Sequence, residues 1–359
     1  MKTKSLWLTV ALLLVIALLI RFFSGDPMWV EQYYSNGIYQ HISGFLKFFT
    51  GLFPFSVGDV LYTLAFIWLV WYFIELIKAI IHKEITATVF WRGLAKASIT
   101  LLTIYIVFNI FWGINYNREG ITYQLGLTTQ QYTQEELKNI NFLLLQKVNE
   151  SKAALLRTKD NDSDYHHLFI ESEKAYTNAA KDYAVIDYSS PVVKRSLYGW
   201  MGNYLDFSGY YDPFTGEAQV NTTVPYFLQP YTTCHEIAHQ LGYAKEDEAN
   251  FVGYLAAAAS SDTLFHYSVY LDLFIYANQN LYQLDSSSAR SFSRQLLPAV
   301  KMDIRQWKAF NLRHRNPIEP IVSWMYGKYL ESNQQPSGVL TYDEVTGFLI
   351  AYHKKFGKI

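Results

Sequence analysis

Residues 6–20 read LWLTVALLLVIALLI, an apolar run in which Thr9 is the single polar residue. Two comparable runs follow, one between Asp59 and Glu75 that extends to Ile81, and one from Ala97 to Ile114. Each approaches the ~17–25 residues that a helix needs to cross a bilayer, where every backbone polar group must be bonded within its own helix. The sequence therefore predicts three transmembrane helices, at about residues 6–23, 57–81 and 96–114.

The first of these runs has a second interpretation. A Lys-containing start followed by a short apolar run is also typical of a secretory signal peptide, although Arg21 to Asp26 lacks a clear small-x-small cleavage pattern. For the other two runs the alternative is a buried helix of a soluble protein. The aromatic residues toward the ends of these runs, as in the belts at membrane interfaces, argue against it: Trp68, Trp71, Tyr72 and Trp112.

Charge divides the chain in two. The 359 residues carry 30 Lys and Arg against 31 Asp and Glu, so there is no basic footprint for a nucleic acid and we expect no nucleic-acid partner. Residues 1–115 hold only 8 basic and 5 acidic side chains. We therefore expect a membrane anchor over residues 1–115, in contact with lipid, and a soluble domain over residues 116–359. Cys234 has no second cysteine to pair with inside the chain.

The orientation of the anchor follows from its lysines and arginines, because short cytoplasmic loops retain them. The N-terminal flank and the connection between the second and third apolar runs are the basic ones, with Lys2, Lys4, Lys78, Lys83, Arg92 and Lys96. The connection between the first two runs offers only Arg21 and Lys47. We expect a cytoplasmic N-terminus and an extracytoplasmic domain at residues 116–359. Apolar residues from Ile38 to Leu52 recur at helical spacing and predict a short helix at the membrane surface or a packed loop helix.

The downstream domain is predicted to be mainly helical. Thr133 and Glu136 form a capping box, a pattern that opens a helix, and this helix extends to about Arg157. Glycines punctuate the region 197–224 and favour a small hairpin or sheet, and the helical pattern resumes after Pro230.

One short motif carries chemistry: His235-Glu236-Ile237-Ala238-His239. Residues four apart lie on one face of a helix, so both imidazoles can point at one metal ion, for which Zn²⁺ is the suitable choice. Glu236 borders that face and can take a proton from a metal-activated water. Thr233 and Glu236 also fit a capping box, which would give Glu236 a purely structural role.

A catalytic zinc site needs a third protein ligand. Gly242 suits the end of the first helix, and a second helix is predicted to begin near Glu246, with Asn250 and Gly253 on the same face. We choose Glu246 as the ligand and Asn250 as the residue that orients a ligand histidine. Glu248 is the competing ligand, and the carboxylate that does not bind metal is expected to be a solvated first-turn residue.

These residues resemble known families. Glu246-x-x-Ala249-Asn250 after the histidine motif is similar to zinc peptidases of the gluzincin type, although Asn250 replaces their usual Asp. The three apolar runs, with GYYDPFTGEA at 209–218 and CHEIAHQLG at 234–242, resemble a bacterial family, domain of unknown function 3810. The resemblance implies a zincin-like domain, zinc held by His235, His239 and Glu246, Glu236 as base, and location in a bacterial inner membrane with the domain in the periplasm.

Zinc peptidases of this kind hold an extended peptide against an edge strand. Our candidate strand begins at Gly216, with Gly216, Ala218 and Val220 as substrate-binding residues; an ordinary core hairpin is equally compatible. A transition-state oxyanion also needs a donor, and the available side chains are Tyr243, His266, Arg313 and His314.

The sequence therefore predicts a membrane-anchored zinc metallopeptidase that cleaves a peptide or protein substrate. An intramembrane peptidase is disfavoured because residues 229–248 are too polar for a membrane span. A membrane-anchored sensor or scaffold with a structural zinc site is the alternative from another class.

Overall fold

The computed structural model describes residues 3–129, 131–157, 164–188 and 190–359, except for the side chains of residues 339 and 341–343. The structure is 75% helical with one small sheet, which confirms the mainly α prediction. Its α-helices are α1 (Thr3–Phe23), α2 (Pro27–Trp29), α3 (Tyr39–Thr50), α4 (Val57–Ile81), α5 (Ala87–Phe111), α6 (Gly120–Gln124), α7 (Gln134–Leu155), α8 (Tyr165–Ala179), α9 (Gly199–Leu205), α10 (Gln229–Gln240), α11 (Glu246–Ala258), α12 (Thr263–Leu284), α13 (Ser286–Gln295), α14 (Pro298–His314), α15 (Glu319–Ser332) and α16 (Thr341–Phe356).

Within the described residues, α1, α4 and α5 have the length and hydropathy of membrane-crossing helices. The third of them differs from the sequence expectation of 96–114, because it begins at Ala87 and ends at Phe111. The side chain of Thr86 accepts a hydrogen bond from Val89 N, which caps the helix at its start. Hydropathy locates the apolar centre of a helix, whereas the cap sets where the helix begins.

The chain divides into two compact units. The first comprises Met1–Arg118 together with Asp212–Glu217. In it α1 packs on α5 around buried Leu6, Val10 and Ala95. Arg92 Nε donates to Thr3 Oγ1 at 3.1 Å, so the N-terminal ends of α1 and α5 lie together.

Buried polar contacts complete the first unit. Both carboxylate oxygens of Glu217 accept from the backbone at the start of α4, at 3.1 Å from Val57 N and 2.7 Å from Gly58 N. A carboxylate in this position satisfies free amides and favours the positive end of the helix dipole. Arg118 forms two hydrogen bonds of 2.8 Å with the buried carboxylate of Glu31. This bidentate geometry is the strong form of an ion pair.

The second unit comprises Glu119–Tyr211 and Ala218–Ile359. Helices α7 and α12 pack side by side in its core, joined by the side chain of Asn141, which donates to Ala277 O at 3.0 Å. Helices α10 and α11 lie almost wholly inside this core. The two helices that carry the histidine motif and the predicted third ligand are therefore fixed by packing on all sides.

The sheet has the order β1-β3-β2, formed by Val193–Arg195, Glu217–Val220 and Gly209–Asp212. Strand β1 is parallel to β3, with Val193 opposite Ala218. The predicted small sheet is thus present, but β1 begins before residue 197, and residues 199–205 form helix α9 rather than a strand. Tertiary packing overrides the glycine punctuation there.

Candidate metal centre

Helix α10 carries the histidine motif and ends abruptly after it. Gly242 follows with φ of 88°, as predicted for the residue just past the helix end. Gly242 N bonds to His239 O at 3.0 Å and Tyr243 N bonds to Ala238 O at 3.2 Å, the two bonds of a Schellman motif. Because a left-handed φ strains any residue with a Cβ, glycine makes this tight turn possible. The chain then reverses and starts α11 at Glu246.

Three potential ligands converge at this turn. The ligand atoms of His235, His239 and Glu246 all lie within 4.8 Å of one another. The two Nε2 atoms are 3.1 Å apart, and Glu246 Oε2 lies 3.2 Å from that of His235 and 3.6 Å from that of His239. Neighbouring donors in a tetrahedral zinc site with bonds of ~2.0–2.1 Å are about 3.4 Å apart. The cluster therefore has the dimensions of three corners of a zinc tetrahedron.

A backbone carbonyl orients one of the imidazoles. His239 Nδ1 lies 2.8 Å from Tyr243 O, and a carbonyl can only accept, so Nδ1 is the donor and, in the neutral imidazole, Nε2 carries the lone pair. The hydroxyl of Tyr243 is held in turn, since it donates to Gln124 Oε1 at 2.6 Å. Partners of this kind fix the tautomer and direction of metal-binding histidines.

Glu246, the predicted third ligand, is held by hydrogen bonds of its own. Tyr326 OH, from α15, donates to Glu246 Oε1 at 2.6 Å, and Gln335 Oε1 accepts from Glu246 N at 2.8 Å. Burial alone would raise the pKa of Glu246, but the two histidine side chains hold it well below its usual range. Burial alone would lower the pKa of His239, whereas the Glu246 carboxylate raises it. The three groups thus form a buried cluster that favours an ionised carboxylate, as a cation site requires.

Close packing of α11 against α10 sets the distance between the ligands. A Cβ atom at Gly253 would lie 3.0 Å from His235 N and 3.1 Å from His235 Cα. A side chain there would push the two helices apart at the level of the first ligand. Gly253 therefore lets the carboxylate of Glu246 reach the histidines of the neighbouring helix.

Glu236 lies beside the cluster and is 4% exposed. Its Oε2 atom has no hydrogen-bond partner among the described residues. Burial raises the pKa of Glu236 to about 7, against the opposing influence of His235 and His239. Gly209 of β2 packs directly against this carboxylate, because a Cβ atom at Gly209 would stand 2.6 Å from Glu236 Oε1. The carboxylate of Glu236 is therefore closely packed and shielded from water, and its raised pKa lets it bind a proton near neutral pH.

The predicted alternative of a capping box between Thr233 and Glu236 is wrong. Thr233 lies inside α10, which begins at Gln229, and its hydroxyl donates backward to Gln229 O at 2.7 Å. Because Thr233 is not the first residue of the helix, it does not form a capping box with Glu236.

The competing ligand, Glu248, faces away from the cluster. A Cβ atom at Gly120, which has φ of 81°, would lie 2.0 Å from Glu248 Oε1, so this carboxylate packs against the start of α6. Glu248 is only 3% exposed, and the expectation of a solvated carboxylate is therefore wrong. Asn250 is also buried, and its carbonyl accepts from Tyr231 OH at 3.0 Å. An orienting contact from its side chain to a ligand histidine stays a prediction.

The predicted substrate strand is not at an edge. Strand β3 is the middle strand of the sheet, so Ala218 and Val220 lie between two partner strands and are fully buried. Gly216 belongs to the turn before β3, with φ of 70°, where a Cβ atom would be 3.1 Å from Leu46 Cβ. The prediction that this strand is an edge strand is wrong, and a middle strand has no open side for a peptide. A role of Gly216, Ala218 and Val220 in substrate binding stays a prediction without that support. Strand β2 occupies the edge and places Gly209 against Glu236.

Of the proposed oxyanion donors, only Tyr243 contacts a residue of the cluster in the bonds described above, and an oxyanion role for Tyr243, His266, Arg313 or His314 stays a prediction. His266 Nε2 lies 2.8 Å from Ser260 O and His314 Nδ1 lies 2.8 Å from Phe310 O, both local contacts. Tyr243 contributes its carbonyl to His239. Tyr326 and Gln335 belong to no local motif, and the sequence motif that begins at Gly209 does not indicate its contact with Glu236.

Comparison with known proteins identifies one family. Residues 34–350 match the family described as Protein of unknown function (DUF3810). The match covers most of the chain, so the chain belongs to this family. No curated protein matches it. No solved structure matches it.

Proposed function

We propose that this DUF3810 protein is a membrane-anchored, gluzincin-like zinc metallopeptidase that hydrolyses a peptide or related amide bond. The observation that carries the proposal is the convergence of His235, His239 and Glu246 within 4.8 Å, with the carboxylate of Glu236 beside them. Two imidazoles and one carboxylate are the ligands of many catalytic zinc sites.

The number of ligands favours catalysis over a structural site. Structural zinc sites are closed by four protein ligands, whereas catalytic sites use three and leave one position open. In the part of the chain that the structure describes, the group of ligating side chains has three members. Cys234 precedes the motif but is buried in the core and is not in that group.

Each residue has a role in the proposed reaction. His235, His239 and Glu246 would hold zinc, which when bound polarises the substrate carbonyl and lowers the pKa of water. Glu236 accepts the proton of the attacking water and delivers it to the leaving nitrogen of the substrate. Desolvation raises its pKa to about 7, which suits a group that first takes and then gives a proton.

Four helices support the proposal of a membrane anchor: the three long apolar helices α1, α4 and α5, and the short helix α3. Helix α3, predicted from the apolar spacing between Ile38 and Leu52, exposes Phe45 and Phe48. Exposed aromatic rings on a short helix are typical of the membrane interface. From the distribution of lysine and arginine we propose a cytoplasmic N-terminus and a periplasmic catalytic domain, in a bacterial inner membrane.

The test uses full-length protein in detergent. Glu236→Gln preserves the shape of the side chain but removes the base. We expect it to retain zinc while hydrolysis of a mixed peptide library falls by about 10²–10⁴-fold, the usual contribution of a general base. Equal hydrolysis by both proteins, or none by wild type that holds zinc, would contradict the proposal, and the second result would favour the scaffold alternative.

A further inference from the structure

We propose that a cavity beside Glu236 binds an alkylammonium group of the substrate, an inference that rests on the proposed peptidase function. The cavity has a volume of about 150 Å³ and lies wholly within the second unit. Two acidic residues line its walls, Asp206 and Asp272, together with five aromatic ones: Phe207, Tyr231, Tyr276, Trp307 and Phe310.

The cavity adjoins the proposed base on two elements. On α10, Thr232 lines the cavity and stands one helical turn, about 5–6 Å, before Glu236. On the neighbouring segment, Ser208 lines the cavity and the next residue, Gly209, abuts Glu236. A Cβ atom at Gly209 would touch Thr232 as well, at 2.9 Å from its Cγ2. A substrate group next to the scissile bond can therefore enter this cavity.

The lining indicates a cation. Its charged members are both acidic, and no lysine, arginine or histidine occurs among the described residues that line the cavity. The negative charge of Glu319 adds to burial in raising the pKa of Asp206, so the local field is already negative. Aromatic faces attract cations through their quadrupoles, and Trp is the most effective of them. Carboxylates combined with Trp307 and Phe310 would disfavour an acidic substrate group and stabilise an ammonium group.

The volume indicates the size of the group. An interior cavity of about 150 Å³ accommodates a six-carbon ring. The four methylenes and the ammonium nitrogen of a lysine-type side chain are of similar size, and so is the first residue of a peptide with its α-ammonium. Both sources supply the same chemistry, and the experiment separates them.

The experiment measures binding without turnover, on the full-length Glu236→Gln chain in detergent. Calorimetry compares three sets of five-residue alanine peptide amides. In the first set the N-terminus is acetylated and one lysine is placed at each of the five positions in turn. The second set has norleucine in place of lysine, and the third is the norleucine set with a free N-terminus. Norleucine keeps the stem and removes the ammonium group. Asp272→Asn and Asp206→Asn test whether the cavity's carboxylates cause the preference. The matched control is Glu331→Gln, which removes a carboxylate from an exposed ion pair with Lys328.

We expect at least one ammonium-bearing set to bind about tenfold or more tightly than acetylated norleucine, as charge-assisted hydrogen bonds would give. Tighter binding of the lysine set would show that the ammonium group comes from a side chain, and tighter binding of the free N-terminus set would show that it is the α-ammonium group. The preference should fall in both aspartate variants and persist in Glu331→Gln. Equal or undetectable binding of all three sets, or a preference unchanged in both aspartate variants, overturns the inference.

The two proposals fail separately. Hydrolysis by wild type without any ammonium preference would leave the peptidase function standing and remove the cavity's role. Ammonium-dependent binding without hydrolysis by the zinc-loaded wild type would support the cavity and contradict the peptidase function.

Discussion

The hydroxyl group of Tyr326 donates a 2.6 Å hydrogen bond to Oε1 of Glu246, and joins residues 80 positions apart in the chain. The other oxygen of the same carboxylate faces the two histidines. Tyr326 thus fixes which oxygen of Glu246 faces the two histidines.

Tyr326→Phe should weaken zinc binding. The ring and its stacking on Tyr329 are kept, while the bond to Glu246 is lost. Residues that support a metal ligand typically contribute 10–100-fold to metal affinity. We expect a loss of about that size in a zinc titration against a competing chelator, with an unchanged circular dichroism spectrum. Unaltered affinity would show that Glu246 holds its orientation without this bond.

Gly209→Ala should impair catalysis without removing zinc. The new Cβ atom would stand 2.6 Å from Glu236 Oε1 and 2.9 Å from Glu236 Cγ, so the carboxylate or the strand must shift. Displacement of a catalytic group by ~1 Å can lower the rate about 10²-fold. Peptide hydrolysis and zinc content are measured together. Gly44→Ala is the control, because a Cβ atom there meets nothing within 4 Å; equal activity of the two variants would count against a positioning role for Gly209.

Gly253→Ala should weaken zinc binding through the backbone. The added Cβ atom would lie 3.0–3.1 Å from the backbone of His235, so α11 must move away from α10 and carry Glu246 with it. We expect about 1–3 kcal/mol of lost unfolding free energy, the usual cost of overpacking a core, together with lower zinc affinity. Thermal melts with and without zinc measure both. A variant with wild-type zinc affinity would mean that the ligands tolerate a change in helix spacing.

The zinc-free chain should be more stable at pH 5 than at pH 8. Burial raises the pKa of Glu236 from its ordinary 4.5 to about 7, so the folded chain holds a proton that the unfolded chain has released. This contribution is complete below about pH 4.5 and is lost as the pH rises through 7. Asp247, whose pKa burial and Glu248 raise to about 7, acts in the same direction.

Melting temperatures of chelator-treated protein in detergent test this sign. We expect a fall of several degrees between pH 5 and pH 8, and a smaller fall for Glu236→Gln, which cannot ionise. A melting temperature that rises over this range, or an equal fall in the variant, would refute the assignment to Glu236.

The parts of the site that the sequence predicts are those encoded locally. His235 and His239 lie four residues apart on one helix, and Gly242 permits the tight turn to Glu246, so their convergence follows from helix geometry and one left-handed residue. The sequence likewise predicts the three long apolar helices α1, α4 and α5, because an uninterrupted apolar run of this length is typical of a membrane-spanning helix.

The parts that the sequence does not predict depend on tertiary packing. Tyr326 and Gln335 reach Glu246 from 80 and 89 residues downstream, and neither belongs to a recognisable motif. The order of the sheet places β3 in the middle because β1 pairs with it in parallel from outside the glycine-rich region. Alternating residues in one strand do not reveal which neighbours it will have, and so the sequence does not predict that β3 is a middle strand.

The central claim is that His235, His239 and Glu246 bind one zinc ion, and it is tested most directly by zinc content and zinc K-edge absorption of the purified full-length chain. Glu246→Gln and Glu248→Gln form a matched pair, since both residues are buried in the first turn of α11. We predict one zinc per wild-type chain with nitrogen and oxygen donors at ~2.0–2.2 Å, severe loss of zinc in Glu246→Gln, and full retention in Glu248→Gln. Wild-type protein without zinc, or retention in Glu246→Gln with loss in Glu248→Gln, would contradict the account.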